Sequence, residues 1–260
     1  MTRPRPLLTY FVLGAIPLLL LAGLNYWNGI RAVDATLSAA VQDDLNSFNV
    51  SVDDVIAEQE RAIMGLALSS DVQQQVIDKS GDLQRLASHL DLTRCLKSLT
   101  LFDRDRQALP VQIANSRPAN QPQPDQRVWA LQGKILLDKP GESPSTLQYT
   151  TPIHSENGAT NIGALVGVLD LHSVFTIAAR GLESSKRSMI VVLDRAGSVV
   201  YHSENLEFES IANAMKAHEN SVGQFNSTSG SYVAAFAPIP RLNVSVAVAR
   251  NRSALISGAH

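Results

Sequence analysis

One uncharged stretch near the N-terminus constrains this chain more than any other feature. No charged residue lies between Arg5 and Arg31, and residues 7–24 (LLTYFVLGAIPLLLLAGL) are almost entirely apolar. An α-helix rises about 1.5 Å per residue, so about 20 apolar residues cross the hydrocarbon of a bilayer. The sequence therefore predicts a transmembrane helix over residues 7–27. Because arginines precede it, the positive-inside bias predicts a cytoplasmic N-terminus over residues 1–6.

Two other interpretations of this stretch stay open. A cleaved secretory signal also carries basic residues before an apolar run. The run is long for such a signal, however, and the bulky residues 24–27 (LNYW) stand where a cleavage site needs small ones. A helix buried in a soluble core is the third interpretation. The first two both place residues 28–260 outside the inner membrane, in a periplasmic or extracellular position.

The apolar pattern becomes a helical stripe after residue 29. Apolar residues recur at steps of three and four, and most acidic residues fall off the stripe. Its members are Ile30, Val33, Leu37, Val41, Leu45, Phe48, Val52, Val55, Ile56, Ile63 and Leu66. This pattern predicts a stalk helix over residues 28–70, which at about 40 residues is long for a globular protein. Such a helix must pack along a domain or against a second copy in a homodimer. Two shorter helices broken near residues 46–51 are the alternative.

Composition excludes several classes of function. The net charge is −2 and no basic tract occurs, so we expect no nucleic-acid partner. Cys95 is the only cysteine, which rules out an intramolecular disulfide and a cysteine metal cluster, and we expect it to be a buried, inert thiol. The six histidines lack metal-binding spacing, and no nucleophile, phosphate or dinucleotide motif is found. We therefore expect no metal site, no cofactor, no catalytic residues and no enzymatic activity.

Two groups of elements with a similar plan follow the stalk, over residues 71–182 and 183–252. In the first group, helices are predicted over residues 72–79, 83–96 and 173–181, and strands over 99–103, 147–153 and 162–171. In the second group, strands are predicted over residues 188–194, 198–203, 223–227, 230–238 and 243–250, and a helix over 206–219. An Asp-x-x-Gly turn joins the first two strands of the second group as a hairpin. Helices mixed with antiparallel returns indicate an α+β fold.

This order of elements resembles the extracytoplasmic double Cache sensor domain of bacterial transmembrane receptors. Two stretches carry the resemblance. Residues 189–203 (MIVVLDRAGSVVYHS) are similar to the opening hairpin of a membrane-proximal PAS-like unit, and residues 149–171 to the closing hairpin of a membrane-distal one. The resemblance covers residues 28–252. It implies an N-terminal transmembrane helix in the bacterial inner membrane, a long stalk helix and two PAS-like antiparallel-sheet subdomains.

The resemblance also implies a ligand and a site. Family members that bind amino acids use an Arg and a Trp two residues apart, together with an Asp on the closing strand. Arg127, Trp129 and Asp170 match this set in kind, and Tyr149 could supply an aromatic wall, although Ala130 stands where the family has an aromatic residue. A guanidinium suits a carboxylate, and a carboxylate suits an ammonium group. We expect a small organic acid or amino acid to bind near these four residues in the distal unit.

Ordinary structural roles for the same residues stay open. Arg127 is also explained as a solvated loop residue, Trp129 as part of the core, and Asp170 as one member of a structural pair.

The function that the resemblance implies is a membrane-anchored, ligand-sensing input module of a receptor. Residues 253–260 would then be a tail leading to a second membrane span, which the sequence as given lacks. The alternative is a single-span periplasmic adaptor that binds a partner protein and no small molecule.

Overall fold

The structure, a computed structural model, describes most of the chain. The described residues are 5–79, 95–109, 123–131, 136–140, 145–155, 157–158, 160–183, 188–203, 211, 213–215, 222–227 and 230–253. Three predicted segments lie largely outside them, namely the helices over residues 83–96 and 206–219 and the tail over residues 253–260.

A single helix, α1, runs from Arg5 to Ala67. It is 63 residues long, so the stalk is one continuous helix and the alternative of a break near residues 46–51 is wrong. Most of the predicted stripe is its buried face, although Val33 is exposed. At most 3% of the surface is exposed for Leu37, Val41, Leu45, Phe48, Val52, Ile56 and Ile63.

No helix in the described part of the chain combines the length and the apolar character that a bilayer crossing requires.

A four-stranded antiparallel sheet follows the stalk. Helix α2 (Ser70–Ile77) begins at Ser69, whose hydroxyl accepts a hydrogen bond from the amide of Val72. The sheet then has the order β1-β4-β3-β2. Its strands are β1 (Leu96–Asp103), β2 (Leu137–Pro140), β3 (Thr146–His154) and β4 (Asn161–Asp170). A 3₁₀ helix, Gln126–Ala130, lies between β1 and β2 in the chain.

The start of β1 corrects the C-terminal end of the predicted helix over residues 83–96, of which residues 95 and 96 are described. Cys95 lies in a turn, and Leu96 already pairs with Leu169 of β4. Pairing with a neighbouring strand provides hydrogen bonds that a short helix end would leave unmade, so the sheet extends three residues further back than periodicity indicated. Cys95 is buried as predicted, and burial raises the pKa of its thiol to about 11.

A second, five-stranded antiparallel sheet has the order β6-β5-β9-β8-β7. Helix α3 (Leu171–Glu183) leads into it. Its strands are β5 (Ser188–Asp194), β6 (Val199–His202), β7 (Val222–Ser227), β8 (Gly230–Ile239) and β9 (Val244–Asn251). The predicted hairpin between β5 and β6 is confirmed, with Gly197 at φ 82° and the side chain of Asp194 accepting from the amide of Ser198. We call the four-stranded unit distal and the five-stranded unit proximal, by their distance from the N-terminus of α1.

Both sheets bury one face against α1. Leu101 and Leu165 of the distal sheet and Val192 and Val246 of the proximal sheet belong to one buried apolar cluster with the stripe of α1. No strand of one sheet pairs with a strand of the other among the described residues. The two units are therefore separate sheets on a shared helical spine.

Three ion pairs align β9 antiparallel to α1. Arg252 and Arg250 pair with Asp34 and Asp44, each at 2.6 Å, and Arg241 of the β8–β9 turn pairs with Glu60. The helix between Asp34 and Glu60 is about 39 Å long. Their arginine partners follow in the reverse order along the chain, so β9 runs antiparallel to α1. The hydrogen bond from Arg252 holds the pKa of Asp34 below its ordinary value.

Gly163 marks a close approach between β4 and β1, which generates a stability prediction. A Cβ atom at residue 163 would lie 2.4 Å from the carbonyl oxygen of Phe102. We expect Gly163→Ala to lower the free energy of unfolding by about 1–3 kcal/mol, because the strand backbone must shift.

Gly181→Ala is the matched control, since its Cβ would meet no atom within 4 Å on the exposed side of α3. Alanine there should leave stability unchanged or raise it by up to about 1 kcal/mol. Guanidinium unfolding followed by circular dichroism compares the two variants, and equal midpoints would contradict the packing argument.

Candidate ligand-binding site in the distal unit

The two faces of the distal sheet differ in chemistry. Successive side chains of a strand point to opposite faces, and the apolar set Leu101, Tyr149 and Leu165 packs toward α1. The outer face carries polar side chains that are nevertheless buried. Exposure is 6% or less for Ser98, Thr100, Gln148 and Thr150.

The strand register arranges these polar side chains in two rows across the outer face. Thr100 and Thr150 both pair with Val166, one from each side, and Ser98 and Gln148 flank Val168 in the same way. A buried polar group costs free energy unless it is hydrogen-bonded. The outer face is therefore built to contact polar atoms, either of the protein or of a ligand.

Residues 123–131 cross this face and are held there by side chains of the sheet. Gln148 donates through Nε2 to the carbonyl of Gln123 at 2.8 Å, and Asn161 donates through Nδ2 to the carbonyl of Val128 at 2.9 Å. The amide of Asp125 donates to Oγ1 of Thr150 at 3.4 Å. The polar residues of β3 and β4 thus position the segment that includes Arg127 and Trp129.

Arg127 is engaged by its neighbour. Asp125 caps the 3₁₀ helix by accepting from the amide of Arg127 at 2.9 Å, and the guanidinium turns back to the same carboxylate at 2.8 Å. These hydrogen bonds lower the pKa of Asp125 to about 2. The side chain of Arg127 is 68% exposed, so most of this guanidinium faces solvent with its charge balanced locally.

Trp129 lies beside an open cleft. Its ring is half-buried against a small apolar cluster that includes Phe102 and Val128, and the guanidinium carbon of Arg106 lies 5.5 Å from the ring centroid. The cleft has a volume of about 390 Å³, and we call it the Trp129 cleft. It is lined by Arg104, Arg106, Trp129, Ala130, Leu131, Thr160 and Asn161. Guanidinium donors, a hydroxyl and an aromatic ring suit reversible binding of a small anion.

The other two predicted site residues lie elsewhere. Tyr149 is fully buried on the α1 side, with its hydroxyl 3.5 Å from Nη2 of Arg241, and burial raises its pKa. Asp170 ends β4 and caps α3, accepting from the amide and hydroxyl of Ser173 at 3.1 and 2.7 Å. The structure therefore brings Arg127 and Trp129 onto one segment, but places Tyr149 on the opposite face and Asp170 at the far end of β4. Ligand contact by these residues stays a prediction.

Sequence reasoning missed Arg106, Gln148, Thr150 and Asn161. The alternation of polar residues with Leu147, Tyr149 and Ile153 along β3 was the available signal, because it shows that the second face of a buried strand is polar. Within the described residues, no group of three or more His, Cys, Asp or Glu side chains is placed to hold a metal ion.

Comparison with known proteins shows the fold. No family model matches the chain, and no curated protein matches it. The ligand-binding domain of the Campylobacter jejuni chemoreceptor Tlp3 in complex with L-valine is similar at a TM-score of 0.54 and 12% identity, over 86% of this chain and 96% of that one. The same domain in complex with L-norvaline gives a TM-score of 0.55 and 13% identity, over 86% and 93%. The two-sheet double Cache architecture implied by the sequence resemblance is confirmed.

Asn161 provides a test of how the segment over the sheet is held. Its amide also accepts from the backbone of Gly163 at 3.1 Å, so Asn161→Ala removes two hydrogen bonds. We expect a loss of about 1–2 kcal/mol in the free energy of unfolding. A red shift in the emission of Trp129 should accompany it, measured in a Trp27→Phe background that leaves one tryptophan.

Asn161→Asp is the matched variant, because it keeps the acceptor for Gly163 and replaces the donor to Val128 with a carboxylate oxygen that repels the carbonyl of Val128. Its stability should be no higher than that of the alanine variant. Unchanged emission in both variants would show that Asn161 does not position the segment.

Proposed function

We propose that this chain is a membrane-anchored, extracytoplasmic ligand-sensing input module of a bacterial receptor. The observation that carries the proposal is the pairing of a double Cache architecture with a polar outer face and an open cleft in the distal unit. In Tlp3, a domain of this fold is seen in complex with L-valine and with L-norvaline. The proposed ligand is an amino acid or small organic acid. It binds beside Trp129, on the segment that also carries Arg127, whereas Tyr149 and Asp170 lie away from the Trp129 cleft.

The contacts of Arg241 could carry a conformational change from the distal unit to the stalk helix. Its guanidinium contacts Asp138 of β2 at 3.4 Å, the hydroxyl of Tyr149 in β3, and Glu60 of α1. A ligand that displaces β2 and β3 would therefore act on the helix and on the turn that begins β9. Ligand binding shifts such an equilibrium only by its difference in affinity for the two states.

The N-terminal part of α1 supports a bilayer anchor over residues 7–27. Among the described side chains of this part, more than half of the surface is exposed for Ile16, Leu18, Leu19, Leu20, Leu21 and Leu24. A contiguous apolar patch of this kind marks an interaction surface. Trp27 follows the patch with Arg31 at 5.1 Å from its ring, a pair suited to the headgroup region.

The proposal includes two further features of the whole receptor. Residues 28–260 lie outside the inner membrane, and two copies pair through the exposed face of α1, where Val50 is 60% exposed.

Charge insertion tests the anchor. Leu19→Arg combined with Leu20→Arg places two charges in the proposed span, at a cost of about 2.5–3.5 kcal/mol for each. The wild type should remain in carbonate-washed membranes and the double variant should be released.

Ile77→Arg is the control, because Ile77 is an exposed apolar residue of α2, outside the proposed span and the proposed pairing face. It should remain in the membrane fraction. Recovery of the wild type in the soluble cytoplasmic fraction, or retention of the double variant, would contradict the anchor.

A ligand panel tests the sensing role. The full chain in nanodiscs is screened against the twenty L-amino acids, succinate, malate and citrate by thermal unfolding and calorimetry. At 100 times its Kd, a ligand should add about 2.7 kcal/mol to stability, which raises Tm by a few degrees. Trp129→Ala should weaken binding at least tenfold, and Trp27→Phe should leave it unchanged. A panel without any binder would contradict the sensing role and favour the adaptor interpretation.

A further inference from the structure

An unusual backbone conformation aims a second arginine at the Trp129 cleft. In the turn after β1, Arg106 has a φ of 63°, in the left-handed region that favours glycine and asparagine. Asp103 closes this turn by accepting the amide of Gln107 on its side chain at 2.8 Å and the amide of Arg106 on its carbonyl at 3.0 Å. An arginine at this position costs roughly 1–2 kcal/mol relative to glycine.

With this backbone conformation, the side chain of Arg106 lines the Trp129 cleft. Its guanidinium stacks over Trp129, and Arg104 of the same turn lines the same opening. Both arginines are exposed, and neither forms an ion pair within the described part of the chain. The described lining of the cleft includes no acidic residue, and Asp103 and Asp105 of the same turn lie outside that lining. Two positive charges thus border the cleft, and none of its described lining residues supplies a carboxylate to pair with them.

We propose that Arg104 and Arg106 form the carboxylate-binding subsite of the Trp129 cleft, and that the left-handed turn is kept because it aims Arg106. This inference rests on the proposed sensing function, and it assigns the ligand to the class of small carboxylates. A guanidinium binds a carboxylate through two parallel hydrogen bonds, and the ring of Trp129 holds the guanidinium plane in place.

Arg106 and Arg127 differ in whether a neighbouring carboxylate pairs with them. Asp125 already balances the charge of Arg127, whereas the charge of Arg106 is available at the cleft. Carboxylate recognition therefore depends mainly on the turn after β1, and the residues of the 3₁₀ helix supply the aromatic wall.

Arg106→Gly provides a test with two opposite readouts. In the full chain in nanodiscs, with Trp27→Phe as background, the glycine variant should have a higher Tm without ligand because the positive φ is no longer strained. Its affinity for the tightest-binding carboxylate among succinate, L-aspartate and L-valine should fall at least tenfold, as followed by Trp129 emission. Succinamide, the neutral analogue of succinate, should not bind either protein.

Two further variants separate charge from backbone. Arg106→Asn also suits the left-handed region and should lose affinity like the glycine variant. Arg195→Gly removes an exposed arginine from the β5–β6 turn of the proximal unit and should change neither binding nor emission.

The outcomes distinguish this inference from the sensing function on which it rests. Carboxylate binding to the wild type with unchanged affinity in Arg106→Gly overturns the subsite and leaves the sensing function intact. Equal binding of succinamide and succinate also overturns it. Failure of every panel compound to bind the wild type overturns both. Loss of carboxylate affinity together with a raised Tm supports the subsite.

Discussion

Burial of one apolar stripe on α1 is the contact on which the rest of the structure depends. A helix as long as α1 does not persist in water on propensity alone, and Val50, Val52 and Val55 are β-branched residues that lower it. Each sheet likewise has an apolar face toward α1 that must be covered. The two units cover successive parts of the stripe, so helix and sheets complete a single buried cluster together. Neither sheet has an alternative partner of comparable size among the described elements.

The ion pairs of α1 fix the position of β9 along the helix, in addition to this apolar contact. An apolar stripe alone would tolerate slippage of β9 along the helix, because its side chains repeat. Asp34, Asp44 and Glu60 limit that freedom, because each pairs with one arginine of the segment from the β8–β9 turn to the end of β9. Partly exposed pairs contribute little stability individually, so their main effect here is positional. The arrangement connects the β8–β9 turn, beside the distal unit, to the part of α1 around Asp34.

The distal unit shows how far sequence reasoning reached at the candidate site. The strand around Tyr149 and the aromatic at Trp129 were predicted, because alternation and composition are local properties. Arg127 and Asp170 have the ordinary structural roles that the sequence left open, since Asp125 and Ser173 pair with them at the caps of a 3₁₀ helix and of α3. The role of Arg106 depends on a positive φ angle, which arginine disfavours. Residue preferences therefore gave no reason to predict this conformation from the sequence.

The sequence by itself determined the long helix, the α+β class and the hairpin at Gly197, because helical periodicity, strand alternation and turn chemistry are each encoded within a few neighbouring residues. Only the tertiary structure decided which residues share a surface. Strand register placed Thr100 and Thr150 on either side of Val166, and a crossing segment brought Trp129 to Arg106. These contacts join residues far apart in the chain, and their distances follow from how sheets and segments pack rather than from any local preference.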